Sequence, residues 1–345
     1  MVMIKHKKLI AMLLVLVMLA LTLAGCGGGA NTGANSDAAK SSDSGTITLK
    51  VGHVLAPDHP YNVGLEKFAE LVDQKTQGKV KVDVFHSSQL GNEREMIEGL
   101  QMGTVDMALV STAPLMGFTK KFMVFDLPYI FESREHAYKV LDGEIGQELL
   151  KSLEEKGIVG LAYWENGFRH LTNSVRPVVH PADAKGLKIR TMENKVHMES
   201  FRVIGADPTP MAYGELFTAL QQKTVDGQEN PLGQIETSKF YEVQDYLSMT
   251  GHFYAPAVLL ISKQKWDSLP ADLQEQIKSA AEEGKDYERG LIRQADIDLK
   301  EKLKSRGMQV IDVDVEEWRE AMAPVYKTFE AEIGKDLIER VKNYK

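Results

Sequence analysis

The chain has 345 residues, with 41 Lys and Arg against 49 Asp and Glu, nine His and a single Cys. A formal net charge of −8 argues against a nucleic-acid backbone as partner, because such binding relies on a basic surface. One cysteine excludes an internal disulfide framework and any cysteine-cluster metal site, and the length suits about two domains with a sizeable core.

The chain opens on an address. Lys5, Lys7 and Lys8 make a positive start, and Leu9 to Leu23 follows as an apolar run. That run is short for a hydrocarbon span of about 30 Å but right for the core of a signal peptide. It ends Leu23-Ala24-Gly25-Cys26, small residues directly before the only cysteine. The ending resembles the lipobox of bacterial lipoproteins, which implies cleavage before Cys26 and its diacylation. Two or more acyl chains hold a protein stably at a membrane surface. A plain secretory signal or a short anchor helix is the blander alternative. Residues 27–45 carry no large apolar side chain and read as a flexible tether. Removal of residues 1–25 leaves 38 Lys and Arg against 49 Asp and Glu. The expectation is an exported, acidic protein, lipid-anchored at the outer face of the cytoplasmic membrane or in the periplasm.

The body alternates strands and helices. Thr46 to Val51 alternates as a strand, Tyr61 to Lys75 has helical spacing, and Val80 to Phe85 is a second strand. Gly91 to Met102 reads as a helix with Glu93 and Glu95 at its positive end, and Val105 to Val110 as a third strand. The order predicts an open, mainly parallel α/β sheet. After Gly157 it recurs, with strands over Ile158 to Trp164 and Gly186 to Arg190, helices over Lys195 to Ile204 and Ala212 to Gln222, and an extended piece from Val225. Ala271 to Arg306 contains no proline and is one unusually long helix or two. Leu100 to Asp106 matches Leu220 to Asp226 at five of seven places, an offset of 120 residues that also lays Glu93 over Tyr213. Generic helix–turn–strand grammar gives such a match; so do two similar lobes, each aiming a helix N-terminus at a shared cleft.

The sequence holds no Gly-x-Ser-x-Gly elbow, no His-Glu-x-x-His, no phosphate-binding glycine loop and no Gly-x-Gly-x-x-Gly. No histidine pair has metal-ligand spacing with a nearby carboxylate, so no metal and no cofactor are expected. His53 and His59 flank a proline-containing loop; both suit a surface loop, and His53, at a strand end, is also a cleft candidate. Arg169 and Arg190 lie in polar segments, Arg190 at a strand end. Either suits an ordinary ion pair, or bidentate capture of a carboxylate that a lysine cannot mimic.

The run Pro208-Thr209-Pro210-Met211-Ala212-Tyr213, with Glu215 to Gln222 and Val225-Asp226-Gly227-Gln228-Glu229-Asn230-Pro231, closely resembles the solute-binding proteins of TRAP transporters, the DctP family. The resemblance extends through Ser87 to Gly91, Gly186 to Arg190 and Lys239 to Val243, and covers residues 46–345 without large gaps. It implies a two-lobed periplasmic-binding-protein fold with one long helix across both lobes, for which Ala271 to Arg306 is the candidate. The implied boundaries are 46–166 with about 255–290 for the first lobe, and 167–254 with about 291–345 for the second. It also implies capture of a carboxylate-bearing solute for a membrane permease, with Arg190 on the carboxylate, Arg169 as a second contact and Asn230 as a further hydrogen bond.

Glu93, Tyr213, His53 and Glu193 are the candidates to contact ligand hydroxyls. Ser111 and Pro114 stand where the family's sialic-acid branch has an acidic and a basic residue, so sialic acid is not expected. A glutamate in the cleft suits a sugar acid such as a hexuronate, whereas two arginines suit a C4-dicarboxylate. The expected protein is not an enzyme. A sensory binding module for the same ligands is the alternative, and an exported enzyme acting on acidic sugars a more distant one.

Overall fold

The computed structural model describes residues 45–345; residues 1–44, and with them Cys26 and the lipobox reading, lie outside the described residues. In chain order the elements are β1 (Ile47–Gly52), α1 (Pro60–Lys75), β2 (Val80–Phe85), α2 (Glu93–Met102), β3 (Met107–Ser111), α3 (Arg134–Asp142), α4 (Glu144–Ser152) and β4 (Ile158–Asn173). Then come β5 (Lys188–Thr191), α5 (Lys195–Val203), β6 (Asp207–Pro210), α6 (Tyr213–Gln221), β7 (Gly227–Pro231), α7 (Leu232–Thr237) and β8 (Tyr246–Ser262). The chain closes on α8 (Lys263–Ser268), α9 (Ala271–Ser305), β9 (Gln309–Ile311), α10 (Val315–Met322), α11 (Pro324–Ile333) and α12 (Lys335–Lys342).

All strands join one sheet, in the order β2-β1-β3-β8-β4-β7-β5-β6, with β9 beside β8. The two ends of that order mirror each other. β1 pairs in parallel with β2 and β3, and β5 pairs in parallel with β6 and β7. Between these parallel triplets run β4 and β8, of 16 and 17 residues, antiparallel to each other and to their outer neighbours. The 120-residue offset is therefore structural: α2 and α6 lead into equivalent strands, and Glu93 and Tyr213 are the first residues of the two helices. Prolines 208 and 210 sit in β6, at the sheet edge, where a missing N–H costs no ladder bond.

Three apolar clusters fill the layers. The largest holds β1, β3 and α1 residues such as Leu49, Leu109 and Phe68. Two smaller ones cover the sheet around β5–β7, one through Ile189 and Phe201, the other through Leu216 and Leu220. The long stretch near the C-terminus is one helix, α9, of 35 residues, about 52 Å long. Its first half buries Ile277 and Ala281 in the largest cluster, and its second half buries Leu299 and Leu303 in the α6 cluster. Gly64 lets α1 approach α9, since a Cβ there would lie 2.8 Å from Glu288 Cβ and from the Trp164 ring. Residues about 291–345 were expected with the second lobe, but Val325, Phe329, Ile338 and Val341 of α11 and α12 pack into the largest cluster, with Leu49 and Phe122.

β4 extends well past the expected end at Trp164, through Glu165 to Asn173. Its pairing with β8 slips between Glu165 and Gly167, opposite Pro256 and Ala255. Proline donates nothing to a ladder, and an extra residue in the facing strand absorbs the gap as a bulge. The extra residue is Asn166. Gly167 follows at φ +115, and a Cβ there would meet Pro231 at 3.3 Å, so an L side chain is strained at this position. Gly167→Ala is predicted to cost about 1–3 kcal/mol, read from urea unfolding; wild-type stability would contradict the bulge as drawn.

Candidate functional site

The strand ends and helix N-termini of both halves converge on a small cavity of about 20 Å³. Arg169, Arg190, Asn230, Glu93 and Tyr213 all line it; Ser111, Asn166, Met192 and Gln234 complete much of the wall. His53 does not line it. Its ring is buried behind Tyr61, with Nδ1 accepting from the Leu55 N–H and Nε2 on Asn62 Oδ1 at 3.2 Å. Burial lowers it to about 4, so it is a neutral ring bracing the loop after β1. Glu193 is exposed and belongs to a shallower recess beside the cavity, shared with Glu93, Arg190 and Tyr213.

The two arginines differ in how their charge is met. Arg169 on β4 is 1 % exposed and grips Glu229 of β7, Nε to Oε2 at 2.5 Å and Nη2 to Oε1 at 2.8 Å. Nη2 also donates to Glu229 O and to Asn230 Oδ1, and His252 Nε2 lies 3.3 Å from Glu229 Oε2. Burial is the largest single influence on Glu229 and pushes its carboxyl up. Arg169 and His252 outweigh it and hold the group well below the usual carboxylate range. The charge of Arg169 is thus met inside the chain, by Glu229, while its Nη1 makes no hydrogen bond to the chain.

Arg190 on β5 is 2 % exposed and donates Nε and Nη2 to a single acceptor, Met211 O, at 3.0 and 2.6 Å. Its Nη1 is buried without a hydrogen-bond partner, and it belongs to no ion pair among the described residues. Burial, abetted by the Arg169 charge, pulls its pKa down to about 10 against the pull of Glu229, which leaves it cationic at neutral pH. A buried charge without a counterion is one of the most expensive arrangements in a protein.

The remaining walls are fixed by their elements. Asn92 and Glu95 form a capping box at the start of α2, which leaves Glu93 free to turn inward. Glu93 Oε1 accepts the Ser111 N–H at 2.7 Å, and burial pushes its carboxyl up despite that bond and both arginines. Tyr213 shares its hydroxyl with Ser238 Oγ at 2.5 Å, and burial raises it to about 12. Asn230 Nδ2 donates to Gln228 Oε1 at 2.5 Å, so both ends of its amide are held. Asn166 Nδ2 donates to Ser111 Oγ at 3.0 Å, and its Oδ1 accepts from Gln234 Nε2. Asn166 and Gln234 were not read from the sequence. The signal for Asn166 was Pro256, 90 residues away; Gln234, on the helix after Asn230-Pro231, had none that stood out. Among the described residues no group of three or more His, Cys, Asp or Glu is placed to hold a metal, and no helix is long and apolar enough to cross a membrane.

Residues 51–332 match the family model of the bacterial extracellular solute-binding proteins, family 7, DctP. The chain belongs to this family. It is 39% identical to the C4-dicarboxylate-binding periplasmic protein DctP of Rhodobacter capsulatus, over 86% of this chain and 90% of that one. It is 37% identical to the 2,3-diketo-L-gulonate-binding periplasmic protein of Escherichia coli, over 88% and 94%. A TRAP periplasmic solute-binding protein from Polaromonas, solved with D-erythronate, superposes with a TM-score of 0.85 at 47% identity, over 87% of this chain and 99% of that one. The two-lobed TRAP fold expected from the sequence is the fold found, and the family is one of extracytoplasmic solute-binding proteins, not of enzymes.

The contrast between the arginines is measurable in this DctP-family chain. Glu229→Gln breaks a buried pair and is predicted to cost about 3–5 kcal/mol at pH 7. Glu229 titrates low in the fold, so its contribution is fully present above about 4.5, its ordinary value, and is lost progressively as pH falls from there toward the much lower folded value. The variant should therefore show a flatter acid limb in urea unfolding between pH 7 and 3. Arg190→Met removes a charge without a counterion, and is predicted to leave the melting temperature of the protein alone unchanged or raised. A large loss would make Arg190 a structural residue.

Proposed function

We propose that this chain is the extracytoplasmic receptor of a TRAP transporter for a small organic acid. Arg190 takes the carboxylate, Arg169 and Asn230 frame it, and the solute is handed to a membrane permease. The observation that carries the reading is the buried Arg190 guanidinium, with Nη1 unpartnered and no carboxylate in ion-pair contact among the described residues. The ligand closes the circuit between the halves and shifts an open–closed equilibrium along β4 and β8. Affinity comes from donors in a water-poor site rather than from global charge, which is screened over about 8 Å.

A monoacid with hydroxyl groups is favoured over a dicarboxylate. Relatives named for either class have comparable identity to this chain, so likeness does not choose. Arg169 has Nε and Nη2 committed to Glu229 and Asn230, which weakens a clamp for two carboxylates. Glu93, buried on the cavity wall, suits a hydroxyl and repels a second carboxylate. The lipid anchor at Cys26 would keep the receptor beside its permease and raise the local concentration.

Calorimetry with a panel of sugar acids and C4-dicarboxylates tests the proposal. A sugar acid should bind, and Arg190→Ala should cost about 2–5 kcal/mol, or about 30- to 4,000-fold in Kd. Wild-type affinity in that variant, or binding of neutral sugars alone, would refute the carboxylate assignment.

A further inference from the structure

Beside the arginine cavity lies a second chamber of about 290 Å³, against about 20 Å³ for the cavity itself. About 10–15 Å³ accommodates one water, so the smaller space does not by itself hold an organic acid. Both spaces are lined by Asn166, and the chain segments between them are shared: His59 faces the chamber and Tyr61 the cavity, Gly233 the chamber and Gln234 the cavity. The hydrogen bond from Gln234 Nε2 to Asn166 Oδ1 joins two of the side chains along this shared boundary. Gln234 is 1 % exposed, and its Oε1 is buried with no partner. Both side chains are amides that turn about single bonds, and Gln234 Oε1 has no hydrogen bond to lose; a hydroxylated ligand would have to replace the bond between them.

We infer that the chamber receives the far end of the bound acid, which makes the receptor selective for a monocarboxylate of about six carbons with an uncharged, hydroxylated tail. This deepens the carboxylate reading of Arg190 and rests on it. The chamber offers aliphatic walls from Val63, Ile292, Ala295 and Leu299, suited to the C–H faces of a carbon chain. Its charged groups oppose a second carboxylate. Lys302, the only cation in the lining, is committed to Glu236 at 2.9 Å. Asp296 is paired with Arg134 at 2.5 Å, and Arg134 is itself shared with Glu165. Asp58 is exposed in the same lining and belongs to no ion pair among the described residues. A distal carboxylate would find no free cation and one free anion, whereas a hydroxyl finds an acceptor in Asp58 and a partner in Thr237 or Asn166.

Titration calorimetry of the full chain with D-gluconate, D-erythronate and D-glucarate tests this. D-Gluconate should bind tighter than D-glucarate, the diacid of equal length, by about tenfold or more. Ala295→Phe, which fills the chamber from α9, should weaken D-gluconate about tenfold or more while leaving the four-carbon D-erythronate within about twofold. Val63→Phe fills the chamber from the opposite wall and repeats the test if the first variant does not fold. If D-glucarate matches D-gluconate, or the filled chamber leaves D-gluconate unaffected, the chamber is not part of the ligand site. If no acid binds the wild-type chain, the carboxylate reading itself fails, and the chamber inference with it.

Discussion

A guanidinium buried between two parallel triplets of strands, giving two of its nitrogens to one carbonyl, is the feature around which this protein is arranged. On the proposed reading, Arg190 serves a ligand rather than stability. An ion pair such as Arg169 with Glu229 meets its own charge, and the fold places Arg169 in the wall of the same cavity as Arg190. The comparison inside one molecule separates the two uses of arginine. One charge is neutralised by the chain, and the other is desolvated and left open to a partner.

The rest of the architecture serves to keep that charge dry and reachable. β4 and β8 are long because they must traverse both halves of the sheet, and they are antiparallel because each half supplies a parallel triplet to one flank. Pro256 interrupts their ladder and forces the bulge that delivers Asn166 to the site. α9 then ties the cores of both halves together from outside. Buried acids along this seam are held by the same logic. Glu288 of α9 accepts the Glu165 N–H, and burial pushes its carboxyl far up. Arg134 is shared between Glu165 and Asp296.

Much of this was legible in the sequence, for a physical reason. Repeated local grammar survives in residue order: the 120-residue offset laid Glu93 over Tyr213, and of its two readings, generic grammar or two similar lobes, the mirrored strand order favours the second. The family's Gln-Glu-Asn-Pro run and its two arginines drew attention to three residues that line the cavity. What local order does not encode is which partner a buried side chain finds. His53 lies at a strand end, as expected, but Asn62 and the Leu55 N–H occupy both ring nitrogens and hold it behind the wall. Arg169 reaches the cavity but has a protein counterion, which depends on β4 pairing with β7. Asn166 depends on a proline in a strand that pairs with its own from 90 residues away. Of the C-terminal helices expected with the second half, α10 packs there through Trp318 and Met322, whereas α11 and α12 follow their apolar faces to the larger core of the first.

The central claim is that an external carboxylate completes Arg190. A crystal structure grown with D-gluconate tests it most directly. The account predicts a ligand carboxylate oxygen at about 2.8 Å from Arg190 Nη1, with the Arg169–Glu229 pair unbroken. A ligand bound away from Arg190, or a protein carboxylate swung onto Nη1 in its place, would contradict it.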